Sequence, residues 1–327
     1  MKPRTEVIVV GGGIAGMAFA HRLVNAVDPG AVRVRILLKA PMASSSSQLA
    51  QGGLAAALHA TDSVEAHVQD TLHTGGGRNN EAVVRAVVAE GPRMVEELLA
   101  LGADLDRDAS GKLRLAREGG HGHARVVHHA DRTGAEIVRV LDAHTRAHPA
   151  IERVEGMRAL DLLVEEEGGV PRCSGVQVLR LEDGMHCELR AHLVVLATGG
   201  VGQVYPTTTN PITATGDGIG MAVRAGVPLR DMAFVQFHPT ALHTGGPGQA
   251  FLISEAVRGA GATLLRHDGT PLMEGLHPMG DLAPRHVVAR TLHQELVRSG
   301  RPHAWLDAGP IGMARFALEF PAIDRWC

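Results

Sequence analysis

The stretch Glu6-Val7-Ile8-Val9-Val10-Gly11-Gly12-Gly13-Ile14-Ala15-Gly16 decides the fold. Four β-branched residues in a row read as a strand buried on both faces of a parallel sheet. Gly11, Gly13 and Gly16 then stand at the spacing G-x-G-x-x-G. The first glycine makes a tight turn, the second lets backbone approach a pyrophosphate, and the third lets the next helix pack close to the strand. A helix over 14–27 follows, with Ile14, Met17, Ala18, Leu23 and Val27 on or near one stripe. Its first amides and its dipole would face the phosphates of a dinucleotide. The competing reading is a glycine-rich turn that binds nothing.

Beyond the Asp28-Pro29-Gly30 turn, Val32 to Leu38 reads as the second parallel strand. A NAD-type site usually has an acid near the end of this strand to hold a ribose. Lys39 stands there instead, which disfavours NAD and suits a ribose or phosphate of another dinucleotide. The run Ser44-Ser45-Ser46-Ser47-Gln48-Leu49-Ala50-Gln51-Gly52-Gly53 offers hydroxyls and bare amides to phosphates and a ring edge, or is a flexible serine linker.

Farther on, Asp62 or Ser63 caps a helix through Leu72, and a helical hairpin over 81–90 and 92–101 breaks at Gly91-Pro92. Residues 114–125 are polar and rich in glycine, as surface turns are. Thr133 caps a helix through Ala147, and strands over 159–165, 175–181 and 185–191 form a small sheet turning at Asp183-Gly184. The run 192–200, ending Ala197-Thr198-Gly199-Gly200, returns to the parallel sheet beside the first strand. Thr213 to Ala225 is a helix entered through Gly216-Asp217-Gly218, with Asp217 placed to hold a ribityl or ribose hydroxyl. A helix from Leu282 to Arg290 has Pro284 near its first turn.

The totals narrow the function. A chain of 327 residues holds about two domains, and 45% hydrophobic with 20% charged residues is ordinary for a globular enzyme. A formal charge of -3 and 3% aromatics argue against nucleic acid. The 19 histidines and 3 cysteines lack paired zinc spacings, so no metal is expected. Cys173, Cys187 and Cys327 form no framework and fit a reducing cytoplasm. The Met1-Lys2-Pro3-Arg4 start carries no apolar signal segment, and no run has the length of a membrane span.

Eight motifs together resemble one family: GGGIAG at 11–16, SSQLAQGG at 46–53, REGGH at 117–121, ATGG at 197–200, TGDG at 215–218, QFHPT at 236–240, SEAVRGAGA at 254–262 and APRHVVAR at 283–290. The chain resembles the flavoprotein subunits of succinate dehydrogenase and fumarate reductase, and within them the aspartate-oxidising branch. The resemblance implies an α/β fold: a doubly wound FAD/NAD(P)-binding domain with an inserted α+β capping domain. It puts the FAD-binding domain at 1–235, with the small strand insertion, and an incomplete capping domain at 236–327. FAD contacts map onto Gly11, Gly12, Gly13, Ile14, Ala15, Gly16, Lys39, Ser46, Ser47, Gln48, Leu49, Ala50, Gln51, Gly52, Gly53, Thr198, Gly199, Gly200 and Asp217. Succinate dehydrogenases join a histidine in the serine loop covalently to the flavin; Ser46 stands there, which implies non-covalent FAD.

The implied reaction is oxidation of L-aspartate to iminoaspartate, with oxygen or fumarate as acceptor and quinolinate synthase as recipient, opening NAD biosynthesis. Arg285, His238 and Glu118 map onto catalytic positions, and Thr240 and Ser254 onto substrate-binding ones. The carboxylate of Glu118 repels a plain dicarboxylate and suits one that also carries an ammonium. Two alternatives stand beside this reading: a soluble fumarate reductase or succinate dehydrogenase flavoprotein, and a non-catalytic FAD-binding fragment. Where the family has Arg-Gly-Glu-Gly, with the Glu on a proton path of its fumarate-reducing members, this chain has Arg258-Gly259-Ala260-Gly261, which calls proton delivery to Arg285, and reductase activity, into question. Family members also run far longer; returning FAD contacts, a second substrate His and Arg, and a helical domain are expected past Cys327.

Overall fold

The structure is a computed structural model describing residues 4–327; the reading of the Met1-Lys2-Pro3 start lies outside the described residues. Contacts divide the chain into two compact units. The first holds the chain up to Leu49, Ile137–Phe234 and Pro247–Gln249; the second holds Ala50–Glu136, Val235–Gly246 and Ala250–Cys327.

In the first unit, four parallel strands lie in the order Leu193–Leu196, Thr5–Val10, Val32–Leu38, Ile151–Glu155. The register sets Val9 opposite Val195 and Ile36. Because side chains alternate across a strand, the β-branched run fills two cores at once. Val7 and Val9, with Val34 and Ile36, pack against Ala20 and Val24 of the helix Ile14–Ala26. Ile8 and Val10, with Leu37, pack against Ala159, Val176 and Val178 of the antiparallel sheet Met157–Glu167, Val170–Arg180, His186–Arg190, and against Met221 of the helix Asp217–Arg224. The unit is therefore an α/β structure on a parallel sheet, with the strand insertion covering one face.

The second unit pairs three short antiparallel strands in the order Leu54–Ala55, Val126–Val127, Leu115–Ala116, and joins Thr263–Leu265 to Trp305–Asp307 as a separate antiparallel pair. It differs from the single boundary expected at 235, since residues 50–136 group with the C-terminal stretch. The reason is hydrogen bonding over long sequence separations: the Gln51 side chain donates to the Leu252 carbonyl, and the Gly120 N–H to the Leu282 carbonyl.

The expected helical hairpin is one helix, Glu81–Ala100, with Pro92 inside it. Val84, Val88, Val95 and Leu98 form one buried stripe along its length, and that packing outweighs the single amide bond a proline removes. Among the described residues, no helix is long and apolar enough to cross a membrane.

Candidate active site

In the first unit, the ends of the parallel strands bound a cavity of about 330 Å³, a size typical of ligand clefts. Gly11–Ala15, Leu38–Met42, Ser44–Ser47, Leu196–Gly200, Thr213 and Ala214 line it. Gly11 has φ +111°, and a Cβ there would lie 2.3 Å from the Ala197 carbonyl oxygen, so only glycine lets the two strands end side by side. The helix Ile14–Ala26 begins with no side-chain cap and no acid in its first turn. The Ile14 N–H donates to Ser47 Oγ at 3.1 Å, which ties the serine loop to the helix start. This bare, uncharged helix N-terminus fits the pyrophosphate of a dinucleotide.

Gly11, Gly12, Gly13, Ile14, Ala15, Lys39, Ser46, Ser47, Thr198, Gly199 and Gly200 thus lie on the cavity wall. Gly16 does not; a Cβ there would strike the Gly11 carbonyl at 2.0 Å, so its role is packing. Gln48 and Leu49 are off the wall as well. Lys39 Nζ donates to Asp217 Oδ2 at 2.8 Å and to Thr215 Oγ1 at 2.7 Å, so the two groups expected to hold a ribose are paired with each other. Ser44 and Ser45 of the serine run also lie on the wall, and Met42 and Thr213 join it without having been singled out.

In the second unit, two carboxylates and two arginines meet. Arg285 opens the helix Arg285–Ser299. Its Nε donates to Glu255 Oε2, its Nη1 to Gln236 Oε1 at 3.1 Å, and its Nη2 lies 3.7 Å from Glu118 Oε2. Glu255, in turn, has Arg258 Nη2 at 3.2 Å from Oε1, and Arg258 is wholly buried. Burial lowers the Arg258 guanidinium below its usual range. Burial and the neighbouring Glu255 raise the Glu118 carboxyl, against the pull of Arg285 and a hydrogen bond from Gly53.

His238 accepts the Thr240 N–H on Nδ1 at 3.2 Å, so the neutral ring carries its proton on Nε2 and can donate it. Burial, then the positive Arg285 and Arg258, lower its pKa to about 3. The Thr240 hydroxyl donates to the Ile253 carbonyl at 2.8 Å, so it braces the loop and has no hydrogen left for a substrate. Ser254 accepts the Ala256 N–H as the cap of the helix Glu255–Gly259. Gln51, Gly52 and Gly53 border a second cavity together with Glu118, and the buried Gln51 Oε1 has no partner. Ala50 lies apart from both walls, its carbonyl taken by the Gly134 N–H.

Glu255 and Arg258 were missed by sequence reasoning. The carboxylate that bridges the two arginines is Glu255, and residue 260 takes no part in that bridge. The signal was present as the i, i+3 spacing of Glu255 and Arg258 on a short helix, but nothing local marked the pair as buried.

A family profile described as FAD binding domain matches residues 6–327. The L-aspartate oxidase of Streptomyces coelicolor is 43% identical over 98% of this chain and 55% of its own length. That of Nostoc is 42% identical over 98% of this chain and 54% of its own. A mutant Escherichia coli quinol fumarate reductase superposes with TM-score 0.86 at 31% identity, covering 99% of this chain and 57% of that one. The chain therefore spans little more than half the length of these relatives. With the glycine turn, the serine loop and the two-cored parallel sheet all inside the matched span, the chain belongs to the FAD-binding domain family.

Proposed function

We propose that the protein oxidises L-aspartate to iminoaspartate with non-covalent FAD, as the first step of NAD biosynthesis through quinolinate. The observation that carries this reading is the Glu118 carboxylate, mostly buried and 3.7 Å from Arg285. A dicarboxylate needs cationic or donor partners, which Arg285 and the Nε2–H of His238 supply. The Glu118 carboxylate repels a plain dicarboxylate and suits a substrate that also carries a cation, such as the α-ammonium of aspartate. Bound FAD supplies the two-electron acceptor for the hydrogen at Cα. Arg285 and His238 hold the carboxylates and keep water from them. Glu118 orients the nitrogen. Glu255 bridges Arg258 and Arg285 and gives a proton a route between guanidiniums, and burial lowers the Arg258 guanidinium below its usual range. Ser46, where a covalent link would need histidine, supports the non-covalent mode.

The same proton route supports a second reading, a soluble fumarate reductase or succinate dehydrogenase flavoprotein; Glu118 speaks against it. Oxygen or fumarate would take the electrons, iminoaspartate would pass to quinolinate synthase, and three free thiols fit the cytoplasm. The test is a visible spectrum of the purified protein before and after anaerobic addition of L-aspartate or succinate. Bleaching of the flavin band by aspartate is expected. Bleaching by succinate alone favours the second reading, and a yellow protein that neither bleaches overturns both.

A further inference from the structure

The loop that carries Glu118 is moored by a buried ion cluster outside the site described above. Arg125 has no exposed surface. Its Nε and Nη2 donate to Asp62 at 2.9 and 2.9 Å, and its Nη1 donates to Asp70 Oδ2 at 2.7 Å. That same oxygen accepts the Gly122 N–H at 2.7 Å. Asp70 belongs to the helix Val64–Thr74, whose His67 ring packs edge-on against His121 with centroids 6.0 Å apart. The loop is closed on itself: the His121 N–H donates to the Glu118 carbonyl, Arg117 Nε donates to the His121 carbonyl, and the Arg125 N–H donates to the Ala116 carbonyl.

Ions sealed from water cost more than apolar side chains of the same volume, so the cluster is a poor device for stability alone. What it adds is a fixed acceptor for one loop amide. Glu118 lies four residues before that amide, on a closed turn, so a shift at Gly122 moves the carboxylate. We infer that Asp70, held by Arg125, is a positioning residue that sets Glu118 at its station beside Arg285 and thereby selects a substrate with an ammonium group. The inference rests on the function proposed above.

The test compares Asp70→Ala and Asp70→Asn with the parent protein in its flavin-loaded form. Asp70 is a quarter exposed and Arg125 keeps Asp62, so neither change leaves a sealed, unpaired charge. Two quantities are read: amide hydrogen exchange across 117–123, and the ratio of kcat/KM for L-aspartate to that for succinate. Loss of a charge-assisted bond predicts exchange about tenfold faster and a ratio about tenfold lower in Asp70→Ala, with flavin content unchanged. Asp70→Asn keeps a weaker acceptor and should fall between, at about threefold; it decides the matter by itself if the alanine variant does not fold. Unchanged exchange, or faster exchange with an unchanged ratio, overturns the inference. A parent protein that turns over neither substrate overturns the functional reading instead, and exchange alone then decides whether Asp70 anchors the loop.

Discussion

Replacing Glu118 with Gln removes one negative charge and almost no volume. At the 3.7 Å that separates Glu118 from Arg285, and at an effective dielectric near 20, two unit charges interact by about 4.5 kcal/mol. A substrate ammonium at a like distance from the carboxylate gains a similar amount. The amide retains a dipole and an acceptor oxygen, and Arg285 is 35% exposed, so about half of that, ~2 kcal/mol, is the expected loss. This corresponds to roughly a 30-fold drop in kcat/KM for L-aspartate. Succinate and fumarate carry no ammonium and are repelled by the native carboxylate, so their kcat/KM should hold or rise. Steady-state kinetics with aspartate as donor, and separately with fumarate as acceptor, measure both arms on one preparation. An equal fall in the two would refute the reasoning, because it would mean that Glu118 supports the site and does not read the substrate's nitrogen. The raised pKa of Glu118 adds a pH signature. Its charge, and with it aspartate recognition, should be lost as pH falls through a value above that of an ordinary glutamate; the Gln variant should lack this limb.

Two further outcomes follow from the geometry. In Gly119→Ala, the new Cβ would lie 2.1 Å from Glu255 Oε1 and 3.2 Å from the Ala283 carbonyl, so the buried Glu255 carboxylate must shift, disturbing its bridge between Arg258 and Arg285; kcat should fall by about tenfold or more with flavin content kept, and an unaltered kcat refutes the bridge. His238 has a folded pKa of about 3 against an unfolded value near 6.5, so the folded state resists protonation. Its contribution to stability is full above about 6.5 and is lost as pH falls toward about 3; His238→Asn should flatten that part of the stability curve, and identical acid limbs for both proteins in denaturant titrations would contradict it.

The nucleotide unit was largely legible before any coordinates. Its signals are local: four consecutive β-branched residues, glycines two and then three positions apart, and a helical stripe that begins where the glycines end. The expected strand 32–38 and helix 14–27 differ from the observed Val32–Leu38 and Ile14–Ala26 by at most one residue. The pairing of Leu193–Leu196 beside Thr5–Val10 was also readable, because an apolar run ending in glycines has few other places to go. The single helix through Pro92 was not readable, because local chemistry ends a helix there and only the buried stripe on both sides of the proline carries it through.

The acidic end of the site divides in the same way. Glu118 stood out only once the family resemblance had implied a dicarboxylate, with which its charge conflicts; from residue types alone its loop reads as a surface turn. Glu255 and Arg258 did not stand out, since a charged pair at i, i+3 on a short helix looks like any solvated surface. The lattice of Asp62, Asp70 and Arg125 was equally silent, its members lying up to 63 positions apart. Sequence by itself determined the elements whose cause lies within a few neighbouring residues. Tertiary structure decided which charges left water and which partners they met there, because desolvation and Coulomb attraction depend on distance in space and not on separation along the chain.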